Sequence, residues 1–345
     1  MKRHITLLWS LRSPCNLGCP YCYFGTIEEH RVKAPAQAGQ LSHLSRADLS
    51  VKEVFAFART LGDSAVGRVF LAGGEPLIWP PLIDLIAVLK AAEIEVVVCT
   101  NGIPLNRPDV VDGLLSYGVE AVSVSLDSAD PGYNDRWRPS RNGMDGWDQV
   151  ITGIRALVER RAERVHPRIG LYSVVTRLNI PQVVEVAKLA ANLGCDYYVP
   201  QPVALERTHR FHDELSLRPE DVVPLREAFA ELYESGFSLS LPRSTFPGQV
   251  VSTILHETGT VADCFGGHRL RFVQPDGSVW DCPSSLKIAE TPQGRRRTIK
   301  GRNAAELFPA VAGCGAACGL FSRDCVNMWP LMDAVAISDT SEGPR

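Results

Sequence analysis

Three cysteines stand close together near the start of the chain: Cys15, Cys19 and Cys22, with three and then two residues between them. Spacings this short let one loop present several sulfurs to a single metal or cluster. A [4Fe-4S] cluster takes four ligands, so three thiolates would leave one iron open to a substrate or a cofactor. A structural zinc site fills all four positions, and a zinc knuckle or three unrelated cysteines are the alternatives that spacing alone leaves open.

This loop resembles the cluster-binding loop of the radical S-adenosylmethionine (radical SAM) superfamily, in which an aromatic residue precedes the last cysteine, as Tyr21 does here. The resemblance implies that the open iron chelates the amino and carboxylate groups of S-adenosylmethionine. One electron then cleaves the sulfonium and yields a 5′-deoxyadenosyl radical, which abstracts hydrogen from the substrate. It also implies that the backbone at Tyr21 contacts adenine and that a reductant such as flavodoxin or ferredoxin supplies the electron.

A second segment of interest is Gly73-Gly74-Glu75, which follows a short apolar run typical of a buried strand. Glycines let the backbone approach a ligand closely, and a neighbouring carboxylate can accept hydrogen bonds from an ammonium group. The segment is similar to the Gly-Gly-Glu segment of the radical SAM superfamily, which contacts the amino group of the methionine moiety. The alternative is a tight turn with a solvated glutamate.

Polar residues also follow two later predicted strands: Asn101 in a Thr-Asn-Gly turn, and Ser125 with Asp127. In similar radical SAM proteins a polar residue after the fourth strand touches the ribose or the methionine carboxylate. This favours Ser125, whereas Asp127 has an equal alternative as the cap of the following loop. A guanidinium suits a carboxylate or phosphate. Of Arg136 and Arg138, we expect Arg138 to hold the methionine carboxylate or a substrate anion and Arg136 to lie at the surface.

Cysteines return in the last third of the chain. Cys264 and Cys282 flank a Pro-Asp-Gly turn between two apolar runs, which predicts a β-hairpin with both thiols near one of its ends. Gly277, followed by four residues and Cys282, matches the opening of the SPASM and twitch extensions of radical SAM enzymes, which bind auxiliary clusters. A full SPASM region uses seven cysteines and this stretch holds five. The resemblance therefore implies the shorter twitch type, with one auxiliary [4Fe-4S] cluster.

Cys264 and Cys282 are the clearest ligands of this auxiliary cluster. Cys314 and Cys318 are the expected completing pair, although three residues separate them where the usual pattern has two. That departure leaves Cys325 as a competitor for one place. A zinc site built from the same thiols is the alternative.

Strands and helices alternate over the first two hundred residues. Apolar runs predict strands over 5–11, 68–71, 94–99, 119–126, 168–175 and 197–199. Helical patterns cover 46–61, 81–92, 109–117, 147–160, 180–193 and 220–234. Short strands with helical crossovers pair in parallel, and about six such units suit a partial (β/α)6 TIM-like barrel, with catalytic groups at the carboxyl ends of its strands. Residues 128–144 and the chain from 241 onward are predicted to be mainly loops.

We therefore predict an α/β fold with two domains, a radical SAM partial barrel over residues 1–241 and a small iron–sulfur domain of twitch or SPASM type over 242–345.

The net charge of −3 gives no global basic field for nucleic acid, and no apolar run approaches the ~20 residues of a membrane span. Ten cysteines without an export signal indicate a reducing compartment, so a cytoplasmic location is expected. Cys99 and Cys195, in apolar runs, are expected in the core.

Few residues point to the substrate. Glu206 follows the sixth predicted strand directly and is expected to contact the substrate as an acid or base. Tyr172 either points into the barrel or packs, and His209 and His212 face either the substrate or the solvent.

Three functions compete. The first is a radical SAM enzyme acting on a small polar natural-product intermediate, a sugar or a nucleoside, by decarboxylation or dehydrogenation. Chain length, Cys264 and residues 324–329 resemble the branch that includes cytosylglucuronate decarboxylase. The second is a SPASM maturase that modifies a peptide, although relatives of that kind commonly carry a recognition domain for which the position of Cys15 leaves no room. The third, a non-catalytic electron carrier or zinc-stabilised binding module, does not explain an open-iron loop combined with Gly-Gly-Glu.

Overall fold

The computed structural model describes residues 4–22, 48–140, 146–205, 207, 209–256, 259–261, 264–284, 297–310, 317–319 and 321–333. Its strands are β1 (Ile5–Arg12), β2 (Val66–Gly73), β3 (Glu95–Thr100), β4 (Ala121–Ser125), β5 (Arg168–Val175), β6 (Tyr197–Pro202), β7 (Leu270–Val273), β8 (Ser278–Trp280) and β9 (Arg297–Thr298). Its helices are α1 (Val51–Ala58), α2 (Leu82–Ala91), α3 (Pro108–Ser116), α4 (Pro131–Trp137), α5 (Gly146–Arg161), α6 (Gln182–Asn192), α7 (His212–Leu215), α8 (Val222–Glu234), α9 (Phe246–Leu255), α10 (Ala304–Leu307) and α11 (Arg323–Asp333).

The nine strands in the described ranges form one sheet, in the order β6-β5-β4-β3-β2-β1-β7-β8-β9. Strands β1 to β6 pair in parallel with their neighbours in the chain, and helices lie in the connections between them. The predicted α/β fold with six parallel strands is confirmed. Parallel strands in register bring their carboxyl ends to one edge, which is where the polar segments of the sequence lie.

Both faces of this sheet are buried, which explains why its strands read as nearly continuous apolar runs. Successive side chains of a strand point to opposite faces. Leu7 and Trp9 of β1 therefore pack in the layer between sheet and helices, where Trp9 meets Phe57 of α1 edge to face at 5.7 Å between ring centroids. Leu8 points the other way and packs with Phe70 of β2 in a second apolar cluster, on the opposite face of the sheet.

The first helix is shorter than the predicted 46–61 because Ser50 caps it. The Glu53 N–H donates to Ser50 Oγ at 3.3 Å, and the Ser50 N–H donates to Glu53 Oε2 at 2.8 Å. This reciprocal capping box satisfies two N–H groups that a helix terminus leaves without partners, so α1 begins at Val51. Residues 46 and 47 lie outside the described ranges.

Two stretches predicted as loops contain helices. Helix α4 lies within 128–144, where the Asp130 side chain accepts a hydrogen bond from Gly132 N at 3.0 Å and Pro131 occupies the first turn. Asp at the N-cap and Pro in the first turn are both typical of a helix N-terminus. The polarity of the stretch nevertheless led to the prediction of a loop. Helix α9 lies after residue 241 and buries Phe246 and Val250, four positions apart on one face.

The predicted hairpin of the last third is confirmed, since β7 and β8 pair antiparallel. It does not stand apart from the barrel. Strand β7 pairs in parallel with β1, with Thr6 opposite Leu270 and Trp9 opposite Val273, so the sheet continues across the proposed domain boundary. The division at residues 241 and 242 stays a prediction. Among the described helices none is long and apolar enough to cross a membrane.

Candidate active site

The carboxyl ends of the parallel strands surround a cavity of about 240 Å³, here called the upper cavity. The residues on its wall that the sequence predicted are Cys15, Cys19, Tyr21, Cys22, Gly73, Gly74, Asn101, Ser125 and Arg138. They come from the cysteine loop, from the ends of β2, β3 and β4, and from the residue after α4. The fold therefore gathers around one space polar groups that are up to 123 positions apart in the chain.

The two glycines let the end of β2 touch the cysteine loop. Gly74 N donates to the Arg12 carbonyl at 2.7 Å, and Glu75 N donates to the Pro14 carbonyl at 2.9 Å. A Cβ atom on Gly74 would lie 2.0 Å from the Pro14 oxygen. Gly73 has a φ of 136°, and a Cβ there would lie 2.6 Å from the Arg12 oxygen. These contacts explain why both positions are glycine.

Glu75 lies behind the glycines, and its carboxylate is directed into the protein. It accepts hydrogen bonds from Leu77 N at 3.0 Å, Thr100 Oγ1 at 2.7 Å and Asn101 N at 2.6 Å. Burial raises the pKa of this carboxyl to about 7, although the three donors and Arg138 oppose the rise. Both carboxylate oxygens of Glu75 accept hydrogen bonds from groups within the protein, and these bonds join the end of β2 to the end of β3.

Asn101 reaches from β3 to the cysteine loop. Its Nδ2 donates to Asn16 Oδ1 at 2.6 Å and lies 3.7 Å from Cys15 Sγ, which also accepts from Leu17 N at 3.4 Å. Burial raises the pKa of the Cys15 thiol to about 12, and Glu75 adds to the rise. Amide N–H groups at a cysteine sulfur stabilise its negative charge, which is how surrounding groups tune a metal-bound thiolate.

Asp127 anchors two residues of the upper cavity. Its carboxylate accepts hydrogen bonds from the Tyr21 hydroxyl, from Arg138 Nη1 at 3.2 Å and from Val174 N at 2.7 Å. Two of the three donors, Tyr21 and Val174, lie outside the following segment 128–144, so the side chain of Asp127 does more than cap that segment. Tyr21 thereby fixes the cysteine loop through its hydroxyl, and Arg138 is held at the cavity wall by a buried ion pair.

The other candidates divide as follows. Arg136 is a surface residue with a 72% exposed side chain, as expected. His209 is buried, and its Nε2 lies 3.0 Å from the Pro20 carbonyl of the cysteine loop. Cys195 is buried in the core, whereas Cys99, expected there too, lines the upper cavity. Glu206 lies outside the described residues.

Sequence reasoning missed that α11 closes the upper cavity. Asn327, Met328 and Leu331 of this helix line it. Gln201 Nε2 of β6 donates to the Asn327 carbonyl at 2.9 Å, and Asn327 Nδ2 donates to the Pro202 carbonyl at 3.1 Å. The spacing of Met328 and Leu331, three apart on one helical face, was the available signal.

A second group of thiols lies beyond β8. Cys264 and Cys282 flank Gly266, since a Cβ on this glycine would lie 3.4 Å from Cys264 Sγ and 3.5 Å from Cys282 Sγ. Burial raises the pKa of the Cys264 thiol, and the neighbouring thiols of Cys318 and Cys325 add to the rise, which places both of them near Cys264. Four of the five predicted auxiliary ligands thus belong to one neighbourhood. The fifth, Cys314, lies outside the described residues.

Additional contacts hold the cysteines of this neighbourhood. Val261 and Cys318 exchange backbone hydrogen bonds of 2.8 and 2.9 Å. Cys325 lies on the first turn of α11, and its Sγ is 3.3 Å from Ser284 Oγ. Helix α11 therefore carries one residue of the thiol group and, one turn further on, residues of the upper cavity wall.

A single metal ion and an iron–sulfur cluster require different arrangements of thiols. Among the residues that the structure describes, no three Cys, His, Asp or Glu side chains converge as ligands of a single metal ion do. A cluster distributes its thiolates over different irons, so they surround a space instead of meeting at one point. Cys15, Cys19 and Cys22 do surround one space, the upper cavity, and the close approach of Gly73 and Gly74 leaves backbone on its wall. The residues fit a cluster with an adjoining cofactor.

Known proteins share this sequence pattern. The family model of the Radical SAM superfamily matches residues 13–190, more than half of the chain. The AdoMet-dependent heme synthase of Methanosarcina barkeri is 26% identical over 294 residues, which cover 80% of this chain and 76% of that protein. GTP 3′,8-cyclase 1 of Mycobacterium tuberculosis is 34% identical over 154 residues, 43% of this chain and 38% of the cyclase. The mycofactocin maturase MftC of the same organism is 24% identical over 287 residues, 82% of this chain and 65% of the maturase.

Solved structures share the fold. The anSMEcpe structure with bound AdoMet is similar with a TM-score of 0.64 and 20% identity, over 89% of this chain and 80% of that one. Streptococcus suis SuiB bound to S-adenosylmethionine gives a TM-score of 0.63 and 15% identity, over 88% of this chain and 65% of SuiB. The narrower resemblance to cytosylglucuronate decarboxylase stays a prediction. With the family match over most of the barrel, and with the three thiols and two glycines around one cavity, the chain belongs to the radical SAM superfamily.

Proposed function

We propose that this radical SAM enzyme removes a hydrogen atom from a small polar molecule, a sugar or a nucleoside, and that the reaction ends in decarboxylation or dehydrogenation. Enzymes of this superfamily use a [4Fe-4S] cluster and S-adenosylmethionine, which together supply a 5′-deoxyadenosyl radical when bound. The observation that carries the proposal is the set of three thiols, two glycines and a buried arginine around one cavity.

Each residue of the upper cavity has a proposed role. Cys15, Cys19 and Cys22 bind three irons of the cluster. The backbone at Gly73 and Gly74 borders the methionine moiety, because a side chain there would fill the space beside the cysteine loop. Asn101, Ser125 and Arg138 offer polar groups to the rest of the cofactor. For Arg138 the partner is a carboxylate, which a guanidinium binds through two parallel hydrogen bonds.

Glu75 and Asp127 act as positioning residues in this proposal. The carboxylate of Glu75 joins the ends of β2 and β3 through three hydrogen bonds. Asp127 orients Arg138 and Tyr21. This differs from the expectation that both carboxylates touch the cofactor, since neither lies among the residues that line the upper cavity.

The interior of the barrel supports a small polar substrate. The wall also includes Ser123, Tyr172 and Gln201. The Ser123 hydroxyl is hydrogen-bonded to the Tyr197 hydroxyl and Gln201 Nε2 donates to the Asn327 carbonyl, so the second lone pair of Ser123 and the amide oxygen of Gln201 are the groups offered to a ligand. Hydroxyl and amide groups in a bounded space suit a polyol or a nucleoside, because each hydroxyl of the ligand needs a partner once it leaves water. Loss of hydrogen beside a hydroxyl leaves a radical from which oxidation or loss of carbon dioxide can follow.

We also propose one auxiliary cluster held by Cys264, Cys282, Cys318 and Cys325. The grouping of these four thiols supports Cys325 as a ligand beside Cys264, Cys282 and Cys318. Since α11 carries Cys325 and lines the upper cavity, such a cluster would stand next to the substrate and could accept the electron released on oxidation.

The test of the proposal is anaerobic reconstitution of the full chain with iron and sulfide, followed by reduction with dithionite in the presence of S-adenosylmethionine. The wild-type protein should form 5′-deoxyadenosine, and the triple variant Cys15→Ala/Cys19→Ala/Cys22→Ala should form none. The matched control is Cys195→Ala, a buried cysteine in the core away from both thiol groups, which should keep the activity. Formation of 5′-deoxyadenosine by the triple variant would refute the proposal.

Peptide modification is the second candidate, favoured by the similarity to the maturase MftC over 82% of this chain. The two candidates differ in the species whose mass changes during turnover. Candidate sugar nucleosides are incubated with the reconstituted enzyme, and loss of 2 or 44 mass units is sought beside 5′-deoxyadenosine; these values are about those of H2 and CO2. Turnover of a peptide with no change in any sugar or nucleoside would favour the maturase.

A further inference from the structure

A second and larger cavity, of about 820 Å³, opens at the opposite end of the barrel, at the amino ends of β2 to β6. We call it the lower chamber. Five arginines lie on its wall, together with three carboxylates. The arginines are Arg68, Arg161, Arg164, Arg168 and Arg243. Amino ends of barrel strands usually serve stability, so a large polar space there calls for a separate explanation.

The three carboxylates of the lower chamber, Glu95, Glu120 and Asp196, are all engaged by partners within the protein. Glu95 accepts a hydrogen bond from Arg68 Nε at 2.7 Å. Glu120 pairs with Lys90, which stands outside the wall, and Asp196 pairs with Arg161.

Two arginines are left with their charge unmatched. In the described part of the chain neither Arg164 nor Arg168 forms an ion pair with a carboxylate. Arg168 is held in place by neutral contacts: its Nη2 donates to Ser240 Oγ at 2.9 Å, and its guanidinium lies 5.5 Å from the centroid of the Tyr197 ring. A fixed guanidinium without a carboxylate partner in a concave space suits an anion.

Arg68 is paired with Glu95 and contributes a hydrogen-bond donor to the wall instead of an unmatched charge. It is only 6% exposed, and its Nη1 is buried without a hydrogen-bond partner within the protein. A buried guanidinium N–H without a hydrogen-bond partner lowers the stability of the folded protein. An anion that binds in the lower chamber and accepts a hydrogen bond from this N–H, after the side chains of the wall rearrange, would offset that cost.

The lower chamber and the upper cavity share two lining residues, Ser123 and Tyr172. Strand β4 runs from Ala121 on the wall of the lower chamber to Ser125 on that of the upper cavity. Four residue steps of a parallel strand span about 13 Å. A molecule about as long as a glycosylated base or a disaccharide could therefore hold one end at the arginines and the other beside the cofactor.

We propose that the lower chamber binds the anionic end of the substrate, a carboxylate or a phosphate, through Arg168 with Arg164 and Arg68. This inference rests on the proposed function, since it names the substrate class as an anionic small molecule. The arginines fix one end of the substrate and thereby set which carbon stands at the upper cavity. Arg168 is thus a specificity-determining residue; it lies opposite Ala121 in the sheet register, about 13 Å along the strands from Ser125 at the upper cavity.

The test is calorimetric titration of the reconstituted full chain, loaded with S-adenosylmethionine, at low salt. The probes are glucose 6-phosphate, glucuronate and uncharged glucose. The wild-type protein should bind at least one of the two anions, more weakly at high salt, and should not bind glucose. Which of the two anions binds more tightly tells a phosphate from a carboxylate substrate.

The variants localise the site. Arg168→Gln should weaken binding of the anion about tenfold or more, as loss of a charged hydrogen bond does, and Arg168→Lys should restore part of it. Arg164→Gln, at an exposed position where folding is not at risk, should weaken it as well. The matched control is Arg302→Gln, an exposed arginine away from both cavities, which should bind like the wild type.

Two results would overturn the inference: neither anion binds the wild-type protein, or Arg168→Gln and Arg164→Gln bind it as tightly as the wild type does. Formation of 5′-deoxyadenosine by the wild type without any added probe is measured in parallel. Its absence would count against the proposed function, whereas anion binding is scored independently of it.

Discussion

Replacing Gly74 by alanine tests the contact on which the upper cavity depends. The new Cβ would lie 2.0 Å from the Pro14 oxygen and 2.5 Å from the Ser13 oxygen, both of them backbone atoms. Real Cβ atoms essentially never approach another heavy atom within 3.0 Å. The end of β2 and the cysteine loop must therefore separate by about 1 Å. A displacement of that size at an active site can lower the rate about 100-fold.

The assay is the initial rate of 5′-deoxyadenosine formation by Gly74→Ala under anaerobic conditions, with iron content measured on the same sample. We expect a loss of about 100-fold in rate and a destabilisation of about 1–3 kcal/mol from overpacking. The control is Gly248→Ala in α9, where a Cβ meets no heavy atom within 4 Å. There alanine should stabilise the helix by about 0.5–1 kcal/mol and leave the rate unchanged.

A wild-type rate in the folded Gly74→Ala variant would refute the reasoning, because it would mean that the cysteine loop does not need its close contact with β2. Equal losses in Gly74→Ala and Gly248→Ala would refute it too, since the effect would then not depend on the position of the added methyl group.

Three further predictions concern single side chains. Asp127→Asn leaves the buried Arg138 without its counter-ion and should cost about 3–5 kcal/mol in the free energy of unfolding, measured by denaturant titration; an unchanged midpoint would contradict the buried ion pair. Asn101→Ala removes the amide beside the Cys15 sulfur and should slow 5′-deoxyadenosine formation about 10-fold or more with the iron content retained; an unchanged rate would remove Asn101 from the site. Cys325→Ser should lower the iron content by about four per chain, the content of one [4Fe-4S] cluster, and unchanged iron would rule out Cys325 as a ligand.

Local patterns in the sequence were sufficient for the barrel. Strand β5 has the predicted bounds, and the Pro-Asp-Gly turn joins β7 to β8 as predicted. The two helices that were predicted as loops, α4 and α9, each had a local helix signal that was given too little importance. Asp130 and Pro131 mark the start of α4, and Phe246 and Val250 share one face of α9, yet the polarity of one stretch and the cysteines of the other suggested loops.

The proposed chemistry of the cysteine loop followed from residue types and spacing, because three thiols within one short loop can border the same space. What surrounds them depended on contacts between residues far apart in the chain. The burial of Glu75 behind the glycines and the bond between His209 and Pro20 leave no trace in local periodicity.

The sequence by itself predicted three closely spaced thiols, an incomplete set for a cluster, at the mouth of a parallel sheet. It did so because ligand spacing and strand periodicity are properties of neighbouring residues. Only the tertiary structure decided that β7 extends the sheet beside β1, that α11 closes the upper cavity, and that arginines gather at the opposite end of the barrel. These features arise when side chains from several strands meet in space, and their distance along the chain hides them from any local pattern.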